Sequence, residues 1–147
     1  MTETEEETFV NYAWNGYYDV VSEMLVDGMS VHTVSPEINN DNILTATLGN
    51  IDNNWYDLAV LAIELGIDVN HKNDNGDTAL SLAIFWEFDA VDEEMRNNMH
   101  DVIKLLLERG ADTRTMVPGE GRTIAEKMLA SPVHRELFLA FRDGRYI

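Results

Sequence analysis

Four histidines and a dense population of carboxylates are the residues in this chain with chemistry to offer. His32, His71, His100 and His134 are scattered along the sequence, and no second ligand stands beside any of them at a chelating spacing. Metal binding or pH sensing is the functional use of such residues. Hydrogen bonding in turns is the use favoured for His32 and His71, which occupy matching places after two similar segments. The stretch HKNDNGDTALSL (71–82) has the outline of a calcium loop, with Gly76 after Asn73 and Asn75. It fails at both ends, because His71 takes the first ligand place and Leu82 the place of a bidentate glutamate. No Gly-x-Ser-x-Gly, Gly-x-x-x-x-Gly-Lys or His-Glu-x-x-His occurs. With 27 Asp and Glu in 147 residues, close carboxylate pairs arise by chance, so none is singled out as a general acid–base dyad. No catalytic residue, cofactor or metal site is expected.

The absence of cysteine excludes disulfides, thiolate metal sites and a cysteine nucleophile, and fits a reducing compartment. The first ten residues, MTETEEETFV, are acidic where a signal peptide is basic and then apolar. No run approaches the ~18 apolar residues of a membrane span. A cytoplasmic protein without membrane contact is expected. The net charge of −17 is unevenly spread: residues 1–99 hold Lys72 and Arg96 against 20 acids, whereas residues 100–147 are nearly balanced. Such a field repels a phosphate backbone, which disfavours nucleic acid. It attracts a basic protein and speeds its arrival, although solubility alone also explains it.

What positions these residues is a repeat. DVVSEMLVDGMSVH (19–32), DLAVLAIELGIDVN (57–70) and DVIKLLLERGADTR (101–114) align on Gly28, Gly66 and Gly110. Asp19, Asp57 and Asp101 each stand nine residues earlier, where a helix is expected to begin and a carboxylate can cap it. Apolar residues at offsets of one, five and six share one helical face. The glycine follows the last turn, where a left-handed conformation disfavours a β-carbon. A shorter apolar stretch precedes each unit: FVNYAWNG (9–16), with Thr4 and Glu7 at capping-box spacing, NILTATLG (42–49) and TALSLAIFW (78–86). Polar, turn-rich segments lie between, and Asn75-Gly76 is a strong turn signal because both residues tolerate positive φ. The pattern predicts helix, loop, helix and projecting turn, repeated.

On these motifs the chain resembles the ankyrin-repeat family, in a small acidic form. GIDVNHKNDNGDTALSLA (66–83) is similar to the junction between family units, with Ala79 and Ser81 in place of the usual proline and histidine. LLLERGAD (105–112) and AWNGYYDVVSEMLVDG (13–28) also fit, and GRTIAEKMLA (121–130) looks like the opening of a fourth unit with Thr123 at the threonine position. The resemblance implies an all-α solenoid of three to four helix-turn-helix units in one domain, with units near 4–32, 40–70, 76–114 and 121–147. The glycines lie 38 and 44 residues apart, against about 33 for the family unit. The excess falls in a stretched turn around Ser35–Asp41, in residues near Asn50–Trp55, and in an insertion over Glu87–His100 expected between two helices. The tail after Pro132 is expected to form a capping helix that packs through Leu137, Phe138 and Phe141.

The resemblance also implies that a partner protein is held by the projecting turns and the first helices of each pair. Carried over, the contact positions are Lys72, Asp74, Asn75 and Asp77 in the central turn. Trp14, Asn15, Phe85 and Trp86 close the first helices. Large aromatics dominate interface energy, although Trp86 can instead pack beneath the neighbouring insertion. Glu87, Asp89, Asp92, Glu93 and Glu94 form the densest acidic run in the interior of the chain, expected either as a solvated face or as a docking surface for a basic protein. The function expected is that of a non-catalytic inhibitor or immunity-type protein, monomeric when free, that masks a basic partner. A general adaptor is the alternative.

Overall fold

Short helices leave their first N–H groups and last carbonyls without partners at every junction, and the chain meets this demand with a small set of recurring devices. A computed structural model describes residues 4–142, except Asn53, Asp89, Val91 and the side chain of Phe88. Among the described residues there are eight helices and no strand: α1 (Glu5–Trp14), α2 (Tyr18–Val26), α3 (Ile43–Gly49), α4 (Trp55–Glu64), α5 (Ala79–Phe88), α6 (Glu93–Glu108), α7 (Ile124–Ala130) and α8 (Pro132–Arg142). Isolated bridges join Ser35 to Asp41 and Met116 to Thr123 within the turns.

The first helix of each pair starts on a side-chain cap. At α3, Asn42 accepts the Thr45 N–H at 2.9 Å while the Thr45 hydroxyl accepts the Asn42 N–H at 3.1 Å. Thr78 and Ser81 exchange the same bonds at α5, and Thr123 and Glu126 at α7. Thr4 accepts the Glu7 N–H at α1. Each such cap contributes about 1 kcal/mol. The aligned aspartates are not caps. Asp19 and Asp57 sit inside the first turns of α2 and α4, whose N-cap residues make no side-chain cap bond. There they only complement the positive end of the helix dipole. Asp101 lies in mid-helix, because α6 begins two turns earlier than expected.

The second helices end as the spacing predicts. Gly28, Gly66 and Gly110 have φ of 114°, 85° and 89°, so each closes its helix in the left-handed region. At all three ends the same two hydrogen bonds fold the chain back, for example Ala111 N–H to the Leu106 carbonyl and Gly110 N–H to the Leu107 carbonyl. This pair satisfies two orphan carbonyls per helix. Asn75 is not in a positive-φ conformation, whereas Asn39 and Asn40 are, at 57° and 52°.

The helices stack in two rows. α1 packs on α3 and α3 on α5, while α2 packs on α4, α4 on α6 and α6 on α8. Phe9, Leu44, Leu48, Leu58, Ile63, Leu80, Ile84, Ile103, Leu106 and Leu107 are fully buried in the shared core. Each such side chain contributes roughly 1.5–3 kcal/mol on burial. At the far end Leu137 is buried and Phe138 and Phe141 pack partly against the core, as the tail pattern predicts. Neighbouring units are also tied by polar contacts, since Arg109 donates to the Ile63 carbonyl and Asn70 donates to the Gly110 carbonyl.

The Glu87–His100 segment is not a loop between helices. Asp92 accepts the Met95 N–H at 2.7 Å, and Glu93–His100 adds about two turns to the front of α6. Glu87 turns inward and is 6% exposed. Its Oε2 lies 3.0 Å from Nε2 of His134, itself 1% exposed, and its Oε1 lies 3.7 Å from Nδ1 of His100. The close contact has ion-pair distance without the alignment of a straight hydrogen bond. It ties the end of α5 to α6 and to the capping helix α8. Two stability changes are expected in urea unfolding. Gly110→Ala meets open space at its new Cβ and costs about 1–2 kcal/mol through left-handed strain alone. His134→Ala strands a buried carboxylate and costs about 1–3 kcal/mol, whereas His100→Ala, more exposed and more distant, costs less than about 1 kcal/mol.

Candidate functional site

The two projecting turns between α2 and α3 and between α4 and α5 are joined edge to edge. Asp74 N–H donates to the Asn39 carbonyl at 2.9 Å, and Asn40 Nδ2 donates to Asp74 Oδ1 at 2.7 Å. His71 Nε2 meets the Asn40 carbonyl at 2.6 Å, and Asn73 Nδ2 donates to Asp41 Oδ1 at 3.0 Å. Asn73 also accepts the N–H groups of Asn75 and Asp77, which shapes the second turn. The left-handed Asn39 and Asn40 open their carbonyl and amide towards the neighbour. Asparagine tolerates that conformation better than other residues with a side chain.

These turns, with Asn11 and Trp14 of α1 and Thr45 and Gly49 of α3, enclose a groove of about 370 Å³. Trp14 forms one wall, 36% exposed. Its six-membered ring approaches so closely that a Cβ on Gly49 would stand 3.2 Å from it. Asn50 Nδ2 donates to the Trp14 carbonyl and holds that end of α1 against the next unit. Glu37, Asn39, Asn73 and Asn75 line the turn side, and Asp41 and Thr45 lie at the floor. No lysine or arginine lines it among the described residues. Burial pushes the Asp41 carboxyl above its ordinary range, against the hydrogen bonds from Asn73 and Thr45 and the attraction of His71, which pull it down; nearby Asp77 adds to the rise. Burial also raises Asp77, opposed by the hydrogen bond from Ser81.

Of the positions expected to contact a partner, Trp14 and Asn75 come together in this groove, and Lys72 is exposed on the same turn but does not line it. Asp74 and Asp77 are engaged in holding the turn and the start of α5. Asn15 closes α1, its side chain donating to the Asn11 carbonyl. Phe85 is 50% exposed, edge-on to Trp86 with ring centres 5.5 Å apart, and Trp86 packs partly on the core. The acidic run divides. Glu87 is internal, which removes it from any docking surface, because its carboxylate meets two histidines. Asp92 caps α6, Glu93 and Glu94 are exposed in its first turn, and Asp89 lies outside the described residues. Glu94 also borders a second groove of about 500 Å³ beside Asp52, Trp55, Tyr56 and Asp57. There burial pushes the Tyr56 phenol up, with the Asp101 and Asp57 carboxylates adding to it.

Glu37, Asn39, Asp41, Thr45 and Gly49 were not singled out from the sequence. One signal was present for Asp41: it precedes the cap Asn42 as Asp77 precedes Thr78, so the two carboxylates recur in register. No group of three or more His, Asp or Glu is arranged to hold a metal among the described residues. No helix among them is long and apolar enough to cross a membrane.

Capped first helices, glycine-closed second helices and projecting turns define an all-α repeat solenoid with an inner groove. Residues 75–115 match the ankyrin-repeat family profile, and the helical stack of the described residues is consistent with an ankyrin-repeat protein. No curated protein matches it in sequence. It is similar in fold to a chain in the solved structure of a predatory endopeptidase from Bdellovibrio bacteriovorus in complex with an immunity protein, with a TM-score of 0.65 and 19% identity. The likeness covers 97% of this chain and 66% of that one.

The raised Asp41 carboxyl has a consequence for stability. Between the ordinary carboxylate range and its folded value, the native state holds a proton that the unfolded chain has released. Its contribution is therefore greatest at acid pH and is lost as pH rises through that window. Asp41→Asn keeps an acceptor for Asn73 and removes the buried charge. It is expected to raise the urea midpoint at pH 7, with the gain shrinking below the ordinary aspartate value of 3.8.

Proposed function

We propose that this chain is a non-catalytic binding module of the inhibitor or immunity type, which masks a basic partner protein through its inner groove. The observation that carries this reading is the groove itself: a tryptophan one-third open to solvent, a carboxylate floor and no lining cation among the described residues. A partly open indole beside a buried carboxylate leaves apolar surface and a costly charge uncovered, and such features persist where a partner covers them. The charge supports a basic partner, because the groove belongs to the part of the chain in which 20 acids face two basic residues. That field accelerates encounter with a cationic surface more than it tightens the final complex. The fold likeness to a chain of a complex between an endopeptidase and an immunity protein is in keeping with the inhibitor reading.

Capture of a partner by the full chain from its native source, followed by an activity assay on the captured protein, tests the assignment. Loss of the partner's activity on binding is the expected result. Several unrelated partners with undiminished activities would select an adaptor instead. Trp14→Ala is expected to weaken the complex about 30-fold, near 2 kcal/mol, and also to lower stability by about 1–3 kcal/mol through the packing lost against Gly49, so binding is measured where the variant remains folded. Glu93→Lys with Glu94→Lys, which spares Asp92 and Glu87, is expected to lower the association rate and flatten its salt dependence in stopped-flow binding. If both rate and slope are unchanged, those two glutamates serve only to keep the chain soluble.

A further inference from the structure

The inner groove has the chemistry of a specific cation rather than of a diffuse acidic surface. One of its walls is the partly open indole of Trp14, 36% exposed. Its floor carries Asp41, 2% exposed, with Oδ1 held by Asn73. Glu37 stands at the rim, its Oε2 accepting the Ser35 hydroxyl at 3.2 Å. Asn39 and Asn75 supply neutral amides on the turn side. The backbone around Asp41 is fixed on both sides, since Asp41 N–H donates to the Ile38 carbonyl and its own carbonyl accepts from Ser35 N–H. The carboxylate is thus held in place before any ligand arrives, and pre-organisation lowers what binding costs.

Two cationic side chains could enter. A guanidinium is planar, weakly hydrated and forked, so it stacks on an aromatic face while its edge meets a carboxylate. An ammonium is compact and strongly hydrated, and gains less from a flat indole wall. An indole and a buried carboxylate lining one groove suit the first.

We propose that this groove receives an arginine side chain displayed by the partner protein, its guanidinium lying against Trp14 and pairing with Asp41, with Glu37 completing the rim. The inference rests on the protein-binding reading above and names what the groove takes. Burial has left Asp41 costly to ionise, and an entering guanidinium repays that cost by supplying a counter-charge. The same residue therefore destabilises the empty protein and stabilises the occupied one.

The test needs no partner. Arginine amide is titrated at millimolar concentration and low ionic strength into the full-length chain, and the indole N–H signal of Trp14, assigned with Trp14→Phe, is followed by NMR. A saturable shift confined to Trp14, with the Trp55 and Trp86 indoles unmoved, is expected. Asp41→Asn should weaken it about tenfold and Glu37→Gln by less. Lysine amide should bind several-fold more weakly and norleucine amide not at all. Absence of a saturable shift, an equal response to lysine amide, or an undiminished response in folded Asp41→Asn would each overturn the assignment. Because the probe is a small molecule, that failure is distinguishable from failure of the masking function, which is read only by partner capture and activity.

Discussion

Helices of seven to ten residues do not persist alone in water, because nucleation costs more than so few hydrogen bonds return. α3 and α7 are seven residues long, and α1, α2, α4 and α5 are nine or ten. Every one of them therefore depends on the apolar face of its neighbour. Stacking is the constraint from which the other features follow. It requires that each unit end at the same angle, which the left-handed glycines provide, and that each first helix begin at the same height, which the reciprocal caps provide. It also requires that the last face be covered, and α8 covers it with Leu137, Phe138 and Phe141.

The departures from a regular repeat are absorbed without breaking that stack. Two additional turns at the front of α6 keep the added residues hydrogen-bonded within a helix, where a loop of the same length would leave its backbone to water. The carboxylates at that point then have local work: Asp92 caps, and Glu93 and Glu94 complement the helix dipole. Glu87 meets His100 and His134 and couples three helices. A run that looks like one acidic patch in sequence thus divides into an internal tie, a cap and a small exposed remainder.

The groove follows the opposite logic. Asp41 is buried at a cost that raises its proton affinity, and Trp14 leaves a third of its surface open. Neither choice improves the free protein. Under the proposed binding role both become favourable when a cationic group enters, and the inner face gives up some stability for recognition. The hydrogen bonds between the two projecting turns make this possible, since they hold Asn39, Asp41 and Asn75 at fixed separations around the indole.

Most of the architecture was legible in the residues themselves. Gly28, Gly66 and Gly110 announced three helix ends because only a residue lacking a β-carbon adopts that conformation cheaply, and Thr4, Thr123 and the apolar periodicity marked helices by local rules. Trp14 and Asn75 were recognisable as candidate contacts from their places in the repeat. The helical continuation at Glu93, the inward turn of Glu87, and the burial of Asp41 were not. Each depends on which side chains from distant units arrive beside it: His134 from the last helix for Glu87, and Asn73 from the next turn for Asp41. Local sequence determined where helices start and stop, because capping and backbone conformation act within a few residues. Only the tertiary stack decided which carboxylates face solvent, histidine or an empty groove, because burial is a property of neighbours far away in the chain.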